Sequence, residues 1–387
     1  MLFSKSVSRT LLLLLYVLSL LALAGCTSKA SHFGIIFTSG LNGSLDIYRI
    51  PDNTQSKVDQ LTFTPTIAEY NPLVSKNGDR IIFDTGDIGL TELPSDLALE
   101  KPNHIYILDT ASRKLDDITE IFTSPPIVNP PMTIEDWSPD QKQFAFINYQ
   151  TAVGIMNFDG TNRKDIPMSS FGKFPNITGV KWSPDGKKLV MFHSVDETQQ
   201  MQTPGAQLLV YDLGSKRLTR LADYEDGCAL AKWSPTSQQI VAICGPTFPY
   251  MDETKAPDYL PETVRIFDVN NLGQAYEHLT FSPCYDPSWS PDGKQIAFEC
   301  DKDKNHEGLF IVDSYGNDIH EVILGGLGNP AVLKNPIWSP DGNQIIYVAG
   351  TDAEHENIYS VNPDGLNNHP LTNQEAFYSL VSAYPVP

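Results

Sequence analysis

Basic residues are scarce in this chain of 387 residues. Lysine and arginine together number 27 against 47 aspartate and glutamate residues, which gives a formal net charge of −20. A generic nucleic-acid binder needs a basic surface to neutralise phosphates, so this balance argues against nucleic-acid partners. Hydrophobic residues make up 41% of the chain, which suffices for a packed core and excludes disorder as a description of the whole protein.

The sequence has no apolar run long enough to span a bilayer comfortably. Its longest run, Leu11–Leu23, has 13 residues, whereas a transmembrane helix needs roughly 20. Lys5 and Arg9 precede this run, as in a secretory signal peptide. The segment that ends it, Leu23-Ala24-Gly25-Cys26, resembles the bacterial lipobox, in which the cysteine is lipidated and becomes the mature N-terminus.

This resemblance implies that residues 1–25 are removed, that Cys26 carries an acyl anchor in the lipid bilayer, and that residues 26–32 form a short linker. A lipid chain anchors a protein and does not span the bilayer. We therefore expect an extracytoplasmic protein, on the outer membrane if the bacterium has two membranes and on the outer face of the cytoplasmic membrane if it has one. An ordinary signal peptide followed by an unrelated cysteine is the alternative.

Short motifs of common catalytic chemistry are also missing. There is no Gly-x-Ser-x-Gly, no His-Glu-x-x-His and no phosphate loop, and the eight histidines are scattered. Residues 301–305 begin like a calcium loop, but His306 and Val312 occupy the places of the required glycine and glutamate. We therefore predict no cofactor, no metal site and no catalytic residues.

What the sequence does contain is a repeat. Trp-Ser-Pro occurs at all five tryptophans, three copies extend to Trp-Ser-Pro-Asp-Gly, and a degenerate copy starts at Val74. The starts are separated by 63, 45, 51, 56 and 49 residues. The tryptophans are Trp137, Trp182, Trp233, Trp289 and Trp338. Units of about 40–50 residues are typical of β-propeller blades, whereas a sandwich would not repeat so regularly and a solenoid coil is shorter.

Each copy is followed by runs rich in β-branched and aromatic residues, such as 295–298 and 264–267, bounded by turn residues. Proline in the second and glycine in the fourth position of Ser-Pro-Asp-Gly suit a tight reversal between two antiparallel strands, which we name A and B. Each repeat thus predicts a four-stranded antiparallel meander, A to D, that must stack on its neighbours.

Pro287-Ser288-Trp289 and Pro336-Ile337-Trp338 complete the stretch Pro-x-Trp-Ser-Pro-Asp-Gly. With it, the repeats resemble the TolB-like, WD-related propeller family over about residues 33–385. The resemblance implies an all-β fold with a single propeller domain at 33–387. TolB itself has six blades and an α/β domain ahead of them, whereas this chain enters its first blade almost directly after Cys26. The resemblance is therefore to the repeat family and not to TolB itself.

The repeats predict seven blades, with six as the alternative. The unit at Phe33–Phe63 has strands B, C and D but no strand A, and a spare strand follows the last complete unit at Phe377–Tyr384. We predict that this C-terminal strand completes the N-terminal blade, because closure of the ring removes two exposed sheet edges.

The four cysteines other than Cys26 form two pairs placed symmetrically about A–B turns. Cys228 and Cys284 lie five residues before a repeat tryptophan, and Cys244 and Cys300 lie eleven residues after the same tryptophan. Residues symmetric about a hairpin turn face each other with Cβ atoms about 4.5–5.5 Å apart, near disulfide range. In an oxidising compartment this predicts Cys228–Cys244 and Cys284–Cys300 disulfides, with free buried cysteines as the alternative.

The predicted binding face is the one that carries the B–C and D–A loops, because the longest loops lie there, at 84–103, 194–207 and 245–263. Neutral growth of loops is the alternative. The loops are acidic, and the last one also has aromatic rings, which suits a protein partner or a stacked sugar. Its candidate contact residues are Phe248, Tyr250, Asp252, Glu253 and Tyr259.

Residues just before the repeat tryptophans are expected to ring the mouth of the central channel. They are Tyr70, Asn71, Tyr285, Asp286, Lys334 and Asn335. Their polar groups suit a small ligand or an ion, and a water-filled channel lining is the alternative.

The main functional hypothesis is a lipid-anchored extracytoplasmic propeller that binds a protein or a cell-envelope component without catalysis. The second is a propeller enzyme, a lyase or hydrolase acting on a polysaccharide or lactone-type substrate, with a metal in the channel. Oligogalacturonate lyases are built on related seven-bladed repeats with a histidine-bound metal, but no matching histidine cluster is visible. The third is a structural role in the envelope akin to that of TolB.

Overall fold

The computed structural model describes most of the chain after residue 31. The described residues are 32–41, 45–54, 57–63, 67–87, 104–123, 132–148, 152–167, 176–194, 206–223, 227–245, 263–271, 275–277, 284–303, 306–324, 332–352 and 354–386. Cys26 and the predicted signal peptide lie outside these residues. Within them, no helix is long and apolar enough to cross a membrane.

The described strands form seven four-stranded antiparallel sheets, which are the blades. Blade 1 contains β1 (Phe33–Ser39), β2 (Asp46–Ile50) and β3 (Asp59–Gln60), and blade 2 contains β4 (Ile67–Val74), β5 (Arg80–Asp87), β6 (His104–Asp109) and β7 (Leu115–Asp117), followed by the short helix α1 (Thr119–Thr123). Blade 3 contains β8 (Met132–Trp137), β9 (Gln143–Asn148), β10 (Ala152–Asn157) and β11 (Lys164–Pro167), and blade 4 contains β12 (Asn176–Trp182), β13 (Lys188–Ser194), β14 (Ala206–Asp212) and β15 (Leu218–Ala222).

The remaining blades follow the same order. Blade 5 contains β16 (Cys228–Trp233), β17 (Gln239–Cys244), β18 (Thr263–Asp268) and β19 (Ala275–Glu277), and blade 6 contains β20 (Cys284–Trp289), β21 (Gln295–Asp303), β22 (His306–Asp313) and β23 (His320–Leu324). Blade 7 contains β24 (Val332–Trp338), β25 (Ile345–Gly350), β26 (Glu356–Val361) and β27 (His369–Pro370), and the last strand is β28 (Tyr378–Pro385). The predicted all-β propeller of A-to-D meanders is confirmed.

The Ser-Pro-Asp-Gly motif forms the A–B turn through its serine. In blade 4, the Ser183 hydroxyl donates a hydrogen bond to Asp185 at 2.7 Å and accepts one from the Lys188 amide at 2.9 Å. Gly186 follows with a φ of 71°, a left-handed conformation that glycine adopts without strain. The same serine-to-amide bond spans the turns that begin at Ser75, Ser138, Ser234, Ser290 and Ser339.

The repeat tryptophans join neighbouring blades. The indole N–H of Trp289 donates to the main-chain carbonyl of Lys232 on the preceding blade at 3.1 Å, and Trp338 donates in the same way to Ser288 at 3.0 Å. Each tryptophan ring is buried. Trp182, for example, packs in a cluster with Ile147 of the preceding blade. Tryptophan suits this position because it provides a large apolar surface and one N–H donor.

The C-terminal strand β28 closes the ring. It pairs with β1 in antiparallel register, with Gly34 opposite Tyr384 and Ser39 opposite Tyr378. A side chain at position 34 would overlap the Tyr384 ring, so glycine is required there for the close approach of the two strands. Blade 1 thus has the sheet order β28-β1-β2-β3, and the prediction of seven blades with this closure is confirmed.

Both predicted disulfides are present. Cys228 pairs with Cys244 across β16 and β17, and Cys284 pairs with Cys300 across β20 and β21, with Cα–Cα distances of 4.0 and 4.1 Å. All four cysteines are buried. Each disulfide ties the A strand of its blade to the B strand near the face that carries the B–C loops.

Candidate functional site: the charged channel

The first strand of each blade lines the central channel. Consecutive first strands contact one another all the way round, from β4 through β8, β12, β16, β20 and β24 to β28 and back to β4. Several of them carry a bulge inside the strand, just before the repeat tryptophan or its equivalent. Asn71, Asp286 and Asn335 occupy equivalent bulge positions with φ of 50°, 48° and 53°. Asparagine and aspartate tolerate this left-handed conformation better than most residues, and a bulge re-aims the side chains around it.

Large side chains are exposed around the mouth of this channel. Tyr70 and Tyr285 lie four residues before a repeat tryptophan or its equivalent, Leu230 lies in the blade 5 bulge, and Phe377 directly precedes β28. Their exposed fractions are 45%, 40%, 46% and 39%. All four lie in the first half of a first strand or directly before one, so they are on the side of the predicted binding face. Exposed apolar and aromatic side chains on one face are typical of interaction sites.

Two buried carboxyl groups lie opposite the mouth tyrosines. Asp84 on β5 pairs across the strands with Tyr70, and Glu299 on β21 pairs with Tyr285, so the two acids have equivalent places in blades 2 and 6. Their exposed fractions are 7% and 8%. The Asn71 side-chain amide donates to Asp84 at 3.3 Å. Burial raises the pKa of Asp84 to about 6, against the opposing effect of the Asn71 hydrogen bond.

The pKa of Glu299 is raised further than that of Asp84. Burial raises the pKa of its carboxyl to about 9, and the negative charges of Asp286 and Glu307 raise it as well. Lys334 and the backbone N–H of Asn335 oppose this rise. Glu299 is therefore protonated at neutral pH.

Two lysines stand directly before the repeat tryptophans of consecutive blades, Lys181 on β12 and Lys232 on β16. The Lys181 ammonium donates to the main-chain carbonyl of Glu135. Lys232 is reached by solvent but enclosed by the channel wall, and this desolvation lowers the pKa of its ammonium. Asp286 and Glu299 act in the opposite direction, and Lys181 lowers the pKa further.

Blade 3 contributes two further acids to the wall. Asp136 accepts hydrogen bonds from the amides of Trp182 at 2.7 Å and Trp137 at 3.0 Å, and burial raises its pKa. Glu135 accepts the Thr133 hydroxyl at 2.7 Å, and burial raises its pKa too. Because the Asp136 bonds join blade 3 to blade 4, we assign this carboxylate to the blade junction.

Lys334 takes part in the contacts that close the ring. Its ammonium lies 2.6 Å from the fully buried Glu356 and 4.4 Å from the centre of the Phe377 ring. The other Glu356 oxygen accepts the amide of Tyr378, the first residue of β28, at 2.9 Å. Next to it, the Asn335 amide donates to Asp286 at 2.6 Å. These bonds join blades 6, 7 and 1 at the mouth.

The six residues predicted for the channel mouth lie at matching positions in the first strands of blades 2, 6 and 7; they are Tyr70, Asn71, Tyr285, Asp286, Lys334 and Asn335. Phe248, Tyr250, Asp252, Glu253 and Tyr259 lie outside the described residues. Five further charged residues were not predicted from the sequence, although a lysine precedes Trp-Ser-Pro in two consecutive repeats; they are Glu135, Lys181, Lys232, Glu299 and Glu356. In the described part of the chain, no group of three or more His, Cys, Asp or Glu side chains is placed to hold a metal ion.

The buried Asp84 makes stability depend on pH. Its folded-state pKa of about 6 lies above the ordinary value of 3.8, so its contribution to stability is present below pH 3.8 and is lost as the pH rises through 6. Asp84→Asn removes this pH dependence. We therefore expect its free energy of unfolding, relative to that of the unaltered protein, to be about 2–3 kcal/mol higher at pH 8 than at pH 3.5. Urea unfolding of both proteins at the two pH values measures this, and an unchanged difference would contradict it. Asp116→Asn, at an exposed position, is the control.

Comparison with known proteins identifies the fold. No protein-family model matches the chain, and no curated protein does. The oligogalacturonate lyase of Vibrio parahaemolyticus is 12% identical, with a TM-score of 0.57 over 89% of this chain and 85% of that one. The β-propeller domain of the Trilobed protease of Pyrococcus furiosus is 13% identical, with a TM-score of 0.52 over 80% and 86%.

TolB from Acinetobacter baumannii is also similar, with 15% identity and a TM-score of 0.44 over 81% of this chain and 80% of that one. TolB is thus among the solved structures to which the chain is similar. Identities of 12–15% show the fold alone. The chain is a seven-bladed β-propeller of four-stranded antiparallel blades.

Proposed function

We propose that the protein is a binding module whose partner, a protein or a cell-envelope component, docks on the face that carries the channel mouth. The observation that carries this proposal is the group of exposed side chains there, Tyr70, Leu230, Tyr285 and Phe377. Tyrosine and phenylalanine are enriched in the centres of protein interfaces, where they bury much area at little entropic cost. Polar and charged groups of the channel lie beside them and suit an orienting role.

An extracytoplasmic location fits the two disulfides, because such bonds persist in oxidising compartments. We further propose that Cys26 is lipidated and holds the propeller at a bacterial membrane, the outer membrane in a cell with two membranes. Stable attachment by acyl chains needs more than one of them or a second membrane contact. In cell fractionation, Cys26→Ser is expected to move the protein from the membrane to the soluble fraction, and an unchanged distribution would refute the anchor.

Site-specific photocrosslinking tests the docking face. A benzophenone amino acid in place of Tyr285 is expected to capture a partner in intact cells. Tyr315 provides the matched control: it belongs to the same blade and is 56% exposed, but it lies in the C–D turn on the opposite face. Capture of the same species in equal yield from both positions, or from position 315 alone, would refute docking at the mouth.

A second candidate function is catalysis in the channel. It is favoured by the nearness of two groups with shifted ionisation, the Glu299 carboxyl and the Lys232 ammonium, since such pairs are common in active sites. The similar fold of an oligogalacturonate lyase makes a polysaccharide the substrate class to test first. Metal analysis of the purified protein separates the candidates, because a stoichiometric transition metal would favour the enzyme.

A further inference from the structure

The face of the propeller formed by the A–B and C–D turns, here called the turn face, has an uneven distribution of charge. Each turn is counted from the last residue of one strand to the first residue of the next. The six turns of blades 2 to 4 contain eleven basic and six acidic residues, whereas the six turns of blades 5 to 7 contain one basic and six acidic residues. The turns of blades 2 to 4, here called the basic patch, are residues 74–80, 109–115, 137–143, 157–164, 182–188 and 212–218. A chain with a net charge of −20 thus has a local positive surface.

The basic side chains of the patch are available to a partner, whereas its acids are engaged locally. The carboxylate of Asp212 accepts the amide and the hydroxyl of Ser215 at 2.7 and 2.8 Å. Asp109 and Asp159 make equivalent bonds within their own turns. Five basic residues of the patch are exposed and form no ion pair with any residue that the structure describes; they are Lys76, Lys142, Lys164, Lys216 and Arg217.

The turns of the patch meet and form one surface. The amide of Lys76, in the A–B turn of blade 2, donates to the side-chain carbonyl of Gln141, in the A–B turn of blade 3, at 3.1 Å. The turns of blades 3 and 4 border a shared cavity, which is lined among others by Lys164, Gly186 and Leu213. The positive charges of three consecutive blades therefore act together on whatever lies against this face.

The N-terminal end of the propeller lies at the same face. Because β1 is a second strand, it starts where the A–B turns lie. The Phe33 carbonyl accepts the amide of Asn53, in the C–D turn of blade 1, at 2.8 Å, and the Phe33 amide donates to the Asn53 side chain at 3.2 Å. Gly34 lies opposite Tyr384, whose ring packs against Gly78 in the A–B turn of blade 2. The chain therefore enters the propeller beside the basic patch.

Only a short segment connects this end to the proposed anchor, Cys26. Residues 26–32 span at most about 25 Å when fully extended. A seven-residue strand such as β1 is itself roughly 23 Å long. A linker of this length reaches only from one face of a blade to the other, so the face with the channel mouth cannot rest on the same bilayer. A lipidated Cys26 therefore places the turn face next to the membrane.

We propose that the basic patch binds the headgroups of anionic phospholipids in the bilayer that holds the acyl anchor, so that the channel mouth faces away from that bilayer. This inference rests on the proposed lipidation of Cys26 for the orientation. It adds the second membrane contact that stable attachment by an acyl chain needs. Most other charges of the protein are negative and are repelled by an anionic surface, so the patch binds weakly by itself and does not replace the anchor.

Cosedimentation with phospholipid vesicles tests the patch without the acyl chain. The full-length Cys26→Ser protein is mixed, at low ionic strength, with vesicles of phosphatidylglycerol and phosphatidylcholine in equal parts or of phosphatidylcholine alone. We expect stronger binding to the anionic vesicles, and loss of this difference when added salt screens the charges. Lys142→Gln combined with Lys216→Gln should weaken binding to the anionic vesicles about 25-fold, because each basic residue near such a surface contributes roughly 5-fold. Arginine at both positions should retain the binding.

Lys57→Gln combined with Lys294→Gln is the matched control. Both lysines are exposed on the turn face, but they lie in blades 1 and 6, at 2.9 Å from Asp59 and 3.1 Å from Asp292. The control loses the same charge outside the patch, so its affinity for the anionic vesicles should fall less than about 3-fold. Thermal unfolding of all variants shows that they are folded.

Photocrosslinking of the lipidated protein in isolated membranes tests the orientation. A benzophenone amino acid in place of Lys216 is expected to capture phospholipid, whereas one in place of Tyr285 is not. Capture of phospholipid at position 285 and not at position 216 would overturn the orientation. Capture of a protein and no phospholipid at position 216 would assign the patch to a protein partner instead.

Equal binding to both kinds of vesicle, or an equal loss of affinity in the two double variants, would refute the patch. This failure is distinct from failure of the anchor. If Cys26→Ser leaves the membrane fraction of cells but shows no preference for anionic vesicles, the anchor stands and the patch is refuted. If it prefers anionic vesicles but its distribution in cells is unchanged, the anchor is refuted and the orientation with it.

Discussion

A chain that ends at residue 376 is expected not to fold into the propeller. The missing residues include β28, which supplies the first strand of blade 1 and buries Tyr378, Leu380 and Tyr384. Full burial of such a side chain stabilises a protein by about 1.5–3 kcal/mol, so the three together contribute about 5–9 kcal/mol before backbone pairing is counted. This is comparable to the entire stability of an ordinary domain, about 5–15 kcal/mol. Two sheet edges would be exposed as well.

Circular dichroism and size-exclusion chromatography measure this effect. The truncated chain should show no cooperative thermal transition and should aggregate, whereas a chain without Pro387 alone should behave as the full protein does. Addition of a synthetic peptide of residues 377–387 is expected to restore the transition, because the vacant place is a strand position between β1 and the channel. A cooperative transition of the truncated chain within a few degrees of the full one would contradict the closure.

Glu356→Gln is expected to be destabilised by about 3–5 kcal/mol, the usual effect of removing one partner from a buried ion pair. The unaltered carboxylate is fully buried, binds the Lys334 ammonium at 2.6 Å and accepts the Tyr378 amide at 2.9 Å. Glutamine can still accept the amide hydrogen bond, but it leaves the Lys334 charge without its partner. The loss acts where β28 begins, so it weakens the closure of the ring.

Urea unfolding measures this loss against two comparisons. Lys334→Met combined with Glu356→Gln should be destabilised by less than the sum of the single variants, because the two charges interact directly. Lys114→Met breaks an exposed pair with Asp116, and should change stability by no more than about 1 kcal/mol. A Glu356→Gln variant as stable as Lys114→Met would show that the buried pair does not hold the ring closed.

The fold could be predicted in detail because its information is local and repeated. Ser-Pro-Asp-Gly is a turn within six residues, where the serine hydroxyl accepts a hydrogen bond from the amide two residues after the glycine. The cysteine pairs could be predicted because residues symmetric about a hairpin must face each other. The closure could also be predicted from the number of strands. The N-terminal blade lacks a first strand, and the one spare strand at the C-terminus can supply it.

The candidate site could be predicted only at its rim. Tyr285 and Lys334 were found because they stand at a fixed offset from a repeat tryptophan, but the offset does not reveal that Lys334 is engaged by Glu356 of β26. Glu299 and Glu356 lie on second and third strands, where nothing in the repeat distinguishes them from ordinary polar residues of a strand end. Their importance arises from the depth at which neighbouring blades enclose them.

By itself, the sequence determined the blade, the number of blades and the disulfides, because turn chemistry and strand periodicity act between residues that are close in the chain. Only the tertiary structure decided which charges of the channel are paired and which carboxyl groups have their pKa raised by burial. Those properties depend on desolvation and on distances between blades. Both are fixed only when the seven blades, each of about 50 residues, close into one ring.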